Sequence, residues 1–123
     1  MLFSEETNAL YSNKKMANKN RVEEISGNGF EEKIKKGVFV VDFYAEWCMP
    51  CVMMSPVIEE LADKLKKMKF MKVNVDDNKE LARKFKVMSI PTIMIFKNGK
   101  EAERVTGSMP SDILEEKLRA LVK

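Results

Sequence analysis

The chain carries two cysteines, and both lie in the stretch Trp47-Cys48-Met49-Pro50-Cys51. Thiols at positions i and i+3 can close a small disulfide ring across the first turn of a helix, and Pro50 suits such a start because its missing N–H is not needed there. The spacing favours a reversible dithiol/disulfide pair. Cys48 is the expected attacking sulfur: it precedes the helix, meets the free backbone N–H groups and the positive end of the dipole, and lies beside the aromatic Trp47. Cys51 is held within reach of any mixed disulfide formed on Cys48, which makes the second exchange intramolecular.

Other cysteine chemistries fit less well. The chain has no histidine, so a Cys/His nucleophile pair is excluded, and two cysteines cannot complete the usual four-ligand structural zinc site. A metal cluster bridging two chains through paired motifs is the remaining alternative, and visible absorbance or bound iron would reveal it. The balance of 22 basic and 19 acidic residues leaves a net charge of +3, spread along the chain, which gives nucleic-acid binding little support. Lys64, Lys66, Lys67 and Lys69 cluster, but at a helix end they read as a solvated face. No apolar run approaches the ~20 residues of a membrane span, and the apolar start at Met1 is too short for a secretory signal. A soluble cytoplasmic monomer is the expectation, with no membrane or nucleic-acid partner.

The 123 residues suit one domain, expected over 21–123. Residues 1–20, rich in Asn and Lys, read as a flexible N-terminal extension, with Met16 a plausible alternative start. A short strand is expected at 21–26 and a helix at 30–36, ended by Gly37. Val38-Phe39-Val40-Val41-Asp42-Phe43-Tyr44 is a near-continuous run of strand formers, suited to a central strand covered on both faces. Asp42 is the exception in that run. A carboxylate buried there, on the strand that leads into the cysteine loop, has its pKa raised by desolvation into the range useful for an acid or base; a strand-end Asp touching water is the alternative.

After Cys51 a helix should run to about residue 68, with Met54, Val57, Ile58, Leu61, Ala62 and Leu65 on its core face. Pro56 should kink it and separate an active-site turn from a structural shaft. Residues 70–76 alternate as a strand, Asn78 should cap a helix to about residue 85, and a strand spans 92–97. Asn98-Gly99 is a strong hairpin signal, returning through 100–106. Gly107 suggests a close backbone approach, and a last helix fills 110–122, with Leu114, Leu118 and Leu121 inward. The order β-α-β-α-β-α-β-β-α implies an α/β fold, a mixed sheet between helices.

The run from Val41 to Cys51, together with Pro56, Ile90-Pro91-Thr92, Phe96-Lys97-Asn98-Gly99 and Gly107, resembles the thioredoxin family over about residues 22–123. The resemblance implies the thioredoxin fold, with a central mixed five-stranded sheet flanked by helices, and a protein-disulfide reductase recharged by a thioredoxin reductase that draws on NADPH or ferredoxin. It needs no cofactor beyond the Cys48–Cys51 disulfide, and its substrates are disulfide-containing proteins. It makes Cys48 the attacking thiolate and Cys51 the resolving thiol, with Asp42 assisting Cys51 through water and Lys72 near Asp42. Pro91 is implied to be a cis proline that turns the backbone of Ile90 outward for strand addition by the substrate, and Trp47, Met49, Pro50, Met88 and Gly107 are implied to line the same groove. Lys72 as a plain strand lysine and Trp47 as packing alone are the alternatives.

Thioredoxins are themselves the known case of a Cys-x-x-Cys thiol with a pKa near ~7 in place of ~8.5. That change raises the thiolate fraction at neutral pH roughly 16-fold, and the accompanying fall in nucleophilicity returns roughly 5-fold, a net gain of about 3-fold. Intramolecular resolution by Cys51 is therefore the larger advantage. The chain departs from the family pattern at four positions: Met49 for the usual glycine, Val52 for a lysine or arginine, Met88 for an arginine and Tyr44 for a tryptophan. The first three predict a methionine-rich, less cationic contact face that adapts to varied partners. The intervening dipeptide has no histidine to stabilise the thiolate strongly, which argues for the reducing end of the range. The competing functions are a thiol oxidase or isomerase, separable by potential, and a non-catalytic binding subunit of the same fold.

Overall fold

A computed structural model describes residues 21–122. The expected extension, residues 1–20, lies outside the described residues. Five strands, β1 (Val22–Glu24), β2 (Val38–Tyr44), β3 (Lys69–Asn74), β4 (Thr92–Lys97) and β5 (Lys100–Thr106), alternate with four helices, α1 (Phe30–Lys33), α2 (Met49–Lys64), α3 (Lys79–Lys84) and α4 (Ser111–Leu121). The strands form one sheet in the order β1-β3-β2-β4-β5. β1, β3 and β2 run parallel, while β4 is antiparallel to β2 and to β5.

Side-chain alternation along the strands divides the core into two layers. Val22, Val40, Phe70, Ile93 and Ile95 point to one face and pack with Met54, Ile58 and Leu61 of α2 and with Leu114 and Leu118 of α4. Phe39, Val41, Phe43, Met71, Met94 and Phe96 point to the other and pack with Phe30 and Ile34, at α1, and Leu81 of α3. There Phe30 and Phe85 both meet Phe96 edge to face, with centroids 5.7 and 5.4 Å away, the geometry favoured by ring quadrupoles. β2, central in the sheet, is covered on both sides, as its apolar run requires.

Several local expectations change in the structure. α1 is shorter than expected, ending at Lys33 with Ile34 as its cap. α2 ends at Lys64, and the apolar stripe continues beyond it in buried Leu65 and Met68, which keep the turn packed after the helical hydrogen bonds stop. Pro56 does not divide α2, which runs unbroken through it. Pro56 is exposed, between buried Met54 and Ile58. Asn78 makes no side-chain cap on α3. Its Nδ2 instead donates to the Asn74 carbonyl and its Oδ1 accepts from the Gly27 N–H, 2.9 and 2.8 Å, joining the end of β3 to the loop after β1. Gly107 does approach another backbone, its N–H meeting the Pro91 carbonyl, but a Cβ there would touch nothing within 4 Å among the described residues. Its φ of +89° accounts for the glycine.

Candidate active site

Cys48 is the N-cap of α2, in extended conformation, with Pro50 in the first turn and Cys51 one turn into the helix. Its Sγ accepts the Cys51 N–H at 3.2 Å, so the sulfur sits where the helix presents free donors and its positive dipole end, both of which favour a thiolate. The two cysteines form a disulfide, with Cα atoms 5.2 Å apart. Both are buried, in a small cluster with Ala45 against which Tyr44, Val75 and Ile90 pack.

Several large apolar side chains near the pair in sequence, and Met88 two residues before Ile90, are exposed. Trp47 is 70% exposed, Met49 69%, Met53 68% and Met88 91%, with Val52 also exposed. Met49 and Met53 are spaced i, i+4 and share one helix face. The Trp47 Nε1 donates to Asp76 Oδ2 at 2.7 Å. The Ile90–Pro91 peptide bond is cis, and among the described residues neither the N–H nor the C=O of Ile90 has a backbone hydrogen-bond partner. The Pro91 carbonyl accepts the Gly107 N–H at 2.8 Å, and Thr92 Oγ1 donates to the Ser89 carbonyl at 2.6 Å. These bonds hold residues 89–92 and Gly107 together.

Beneath lies a polar group on the α2 side of the sheet. Asp42 has the same parity as Val40 and so faces α2, only 4% exposed. Its Oδ1 is buried without a hydrogen-bond partner among the described residues. Burial pushes its pKa up from 3.8 to about 7; Lys72 opposes that rise and Glu24 adds to it. The sheet register sets Lys72 beside both Asp42 and Glu24, but the lysine's close contacts are elsewhere: its Nζ is 3.7 Å from Glu24 Oε1 and 5.5 Å from the Tyr44 ring centroid. The Tyr44 hydroxyl donates to the same Glu24 carboxylate at 2.7 Å; burial and that acidic neighbour push the phenol's pKa up.

The dithiol pair stands at a helix start, with an acid buried in the strand before it and exposed aromatic and methionine side chains beside it in the chain. The family model for thioredoxin matches residues 21–120. The chain belongs to the thioredoxin family. It is 46% identical over 95 residues to a thioredoxin of Staphylococcus haemolyticus, an alignment covering 76% of this chain and 91% of that protein. It is 45% identical over 93 residues to that of Staphylococcus saprophyticus, covering 75% and 89%, and 47% identical over 90 residues to that of Staphylococcus aureus, covering 72% and 86%. The mixed five-stranded sheet with its helices is the thioredoxin fold. The activity is dithiol/disulfide exchange by a protein-disulfide oxidoreductase whose redox-active pair is Cys48 and Cys51.

Thioredoxin chemistry runs on the cysteine pair itself. The structure brings Trp47, Met49, Pro50, Ile90, Pro91 and Gly107 to the end of the sheet where α2 starts, with Met88 two residues ahead of Ile90, and sets Asp42 and Lys72 together behind. Asp76, Glu24 and Met53 were missed in the sequence. Asp76 and Glu24 are tied to Trp47 and to Lys72 and Tyr44 only by tertiary contacts, with no motif or spacing to mark them. Met53 was legible in principle, since helical spacing sets it four residues after Met49 and off the buried stripe.

Proposed function

We propose that this thioredoxin-family protein is a general reductant of protein disulfides. The supporting observation is the Cys48–Cys51 pair at the start of α2, with the Cys51 N–H on Cys48 Sγ and exposed apolar side chains beside it in the chain. An extended substrate segment pairs with the unpartnered backbone of Ile90 by strand addition, against Pro91 and Gly107 on one side and Trp47, Met49, Pro50 and Met88 on the other. The Cys48 thiolate attacks one substrate sulfur; the substrate disulfide breaks, a mixed disulfide forms, and the first thiolate leaves. Asp42 takes the Cys51 proton through water, Lys72 favouring the ionised carboxylate by its charge. The Cys51 thiolate then attacks Cys48 Sγ, closing the internal disulfide and releasing the second substrate thiolate. Two electrons have passed to the substrate, and a thioredoxin reductase restores the dithiol.

The protein acts as a monomer in the cytoplasm, on proteins and not on membranes or nucleic acids. The test is the midpoint potential of the pair in dithiothreitol buffers, read by the fluorescence of Trp47, the single tryptophan. A value near the ~−270 mV known for thioredoxins is expected; one near the ~−120 mV of strong thiol oxidants would overturn the reading.

A further inference from the structure

Between the sheet and α2 is a cavity of about 10 Å3 lined by Val22, Asp42, Ser55, Ile58, Glu59 and Lys72. That volume is at the lower limit for one water, and a buried water requires two to four polar partners. Four of the six lining residues carry polar side chains: Asp42, whose Oδ1 is unpartnered among the described residues, Ser55, Glu59 and Lys72. Ser55 Oγ already donates to Glu59 Oε2 at 3.4 Å, and both residues are half-buried, so the pair reaches from the cavity to the surface. Ser55 also lies one helical turn after Cys51, on the same face of α2. The cavity therefore adjoins the turn that carries the resolving thiol.

We propose that Glu59, through the Ser55 hydroxyl, is the outlet by which Asp42 exchanges its proton with solvent. The inference rests on the reading of Asp42 as the base for Cys51. In that reading each turnover moves one proton from the Cys51 thiol to Asp42, and the carboxylate must shed it before it can act again. Lys72 cannot take the proton, since an ammonium has no free lone pair, and its charge is occupied by Glu24 and the Tyr44 ring. Glu59 is the remaining acceptor on the wall. The proton passes from Asp42 to water in the cavity, along Ser55 Oγ to the Glu59 carboxylate, and out to solvent, where the departing substrate thiolate picks one up. No electrons move in this branch. Among the described residues, the charged or titratable groups about Asp42 are Glu24 from β1, Tyr44 from β2, Lys72 from β3 and, from α2, Glu59 together with the Cys51 thiol that this reading pairs with it; the β4 residue paired with it is the apolar Ile93.

The experiment compares the full chain with its Glu59→Gln, Glu59→Asp, Ser55→Ala and Asp42→Asn variants. Mixed-disulfide formation and release are timed separately over successive turnovers across the neutral pH range, at low and high concentrations of a small carboxylate buffer. Glu59→Gln is expected to slow release about 5-fold at low buffer while sparing formation, short of the ~100-fold that loss of a proton-transfer group itself costs. High buffer should restore the rate, Glu59→Asp should retain it, and Ser55→Ala should show a smaller loss with the same recovery. Recovery by buffer separates a proton outlet from mere packing. Release by Glu59→Gln at the parent rate, slowing that buffer does not relieve, or equal slowing of both steps would overturn the outlet. If Asp42→Asn alone slows release, the outlet falls and the role of Asp42 stands; if Asp42→Asn releases at the parent rate, both fall.

Discussion

Asp42 shows how one buried side chain couples reactivity to stability. Its pKa in the folded chain, about 7 against an ordinary 3.8, means that the folded state holds the proton more tightly than the unfolded state does. Stability from this group is complete below the ordinary value, falls as pH rises through the window up to about 7, and then levels off. The whole change is at most about 4 kcal/mol, with Lys72 moderating the rise and Glu24 adding to it. Asp42→Asn removes the titration, so the variant is expected to gain on its parent by roughly 2 kcal/mol or more at about pH 8, with the gap closing toward about pH 4. Urea unfolding at several pH values checks this; a difference that does not vary with pH would mean that Asp42 does not titrate in this window. Burial of Asp42 was legible from its place in an apolar strand. The Glu24–Lys72–Tyr44 group beside it was not, because it joins residues from three strands.

Among the elements, the β4–β5 hairpin follows most directly from local chemistry. Asn98 and Gly99 have φ of 51° and 87°, the left-handed pair of a two-residue hairpin turn. Asn98 adds a contact that no hairpin rule contains: its N–H donates to the Gly37 carbonyl and its Oδ1 accepts the Gly37 N–H, each at 2.9 Å. The turn is thereby fastened to the loop that enters β2. A Cβ at Gly99 would meet only Lys35 backbone atoms, the nearest at 3.7 Å, so the cost of Gly99→Ala is conformational, about 1 to 2 kcal/mol. Thermal unfolding should show that loss with the redox potential unchanged. α2 teaches the opposite lesson. Its core stripe was readable from helical spacing, but its end was not, because Leu65 and Met68 stay buried beyond the last helical residue, Lys64.

At the scale of the whole molecule, the sheet separates two apolar layers and brings the strand ends and the start of α2 to one place. The family match begins at residue 21. Deleting residues 1–15 is therefore expected to leave the rate of disulfide reduction and the melting temperature unchanged; a marked fall in either would give that segment a part in the domain. From sequence alone came the element order, the dithiol, the hairpin and the burial of Asp42, because each is set by neighbours in the chain: alternation, helical spacing, turn residues and the i, i+3 cysteines. Tertiary structure alone decided that Asp76 anchors Trp47, that Asn78 ties β3 to the loop after β1, that Lys72 leans toward Glu24, and that Ser55 and Glu59 share a cavity with Asp42. The physical reason is that these contacts join residues distant in sequence, and their partners are chosen by strand register and by the packing of α2 on the sheet, which no local pattern records.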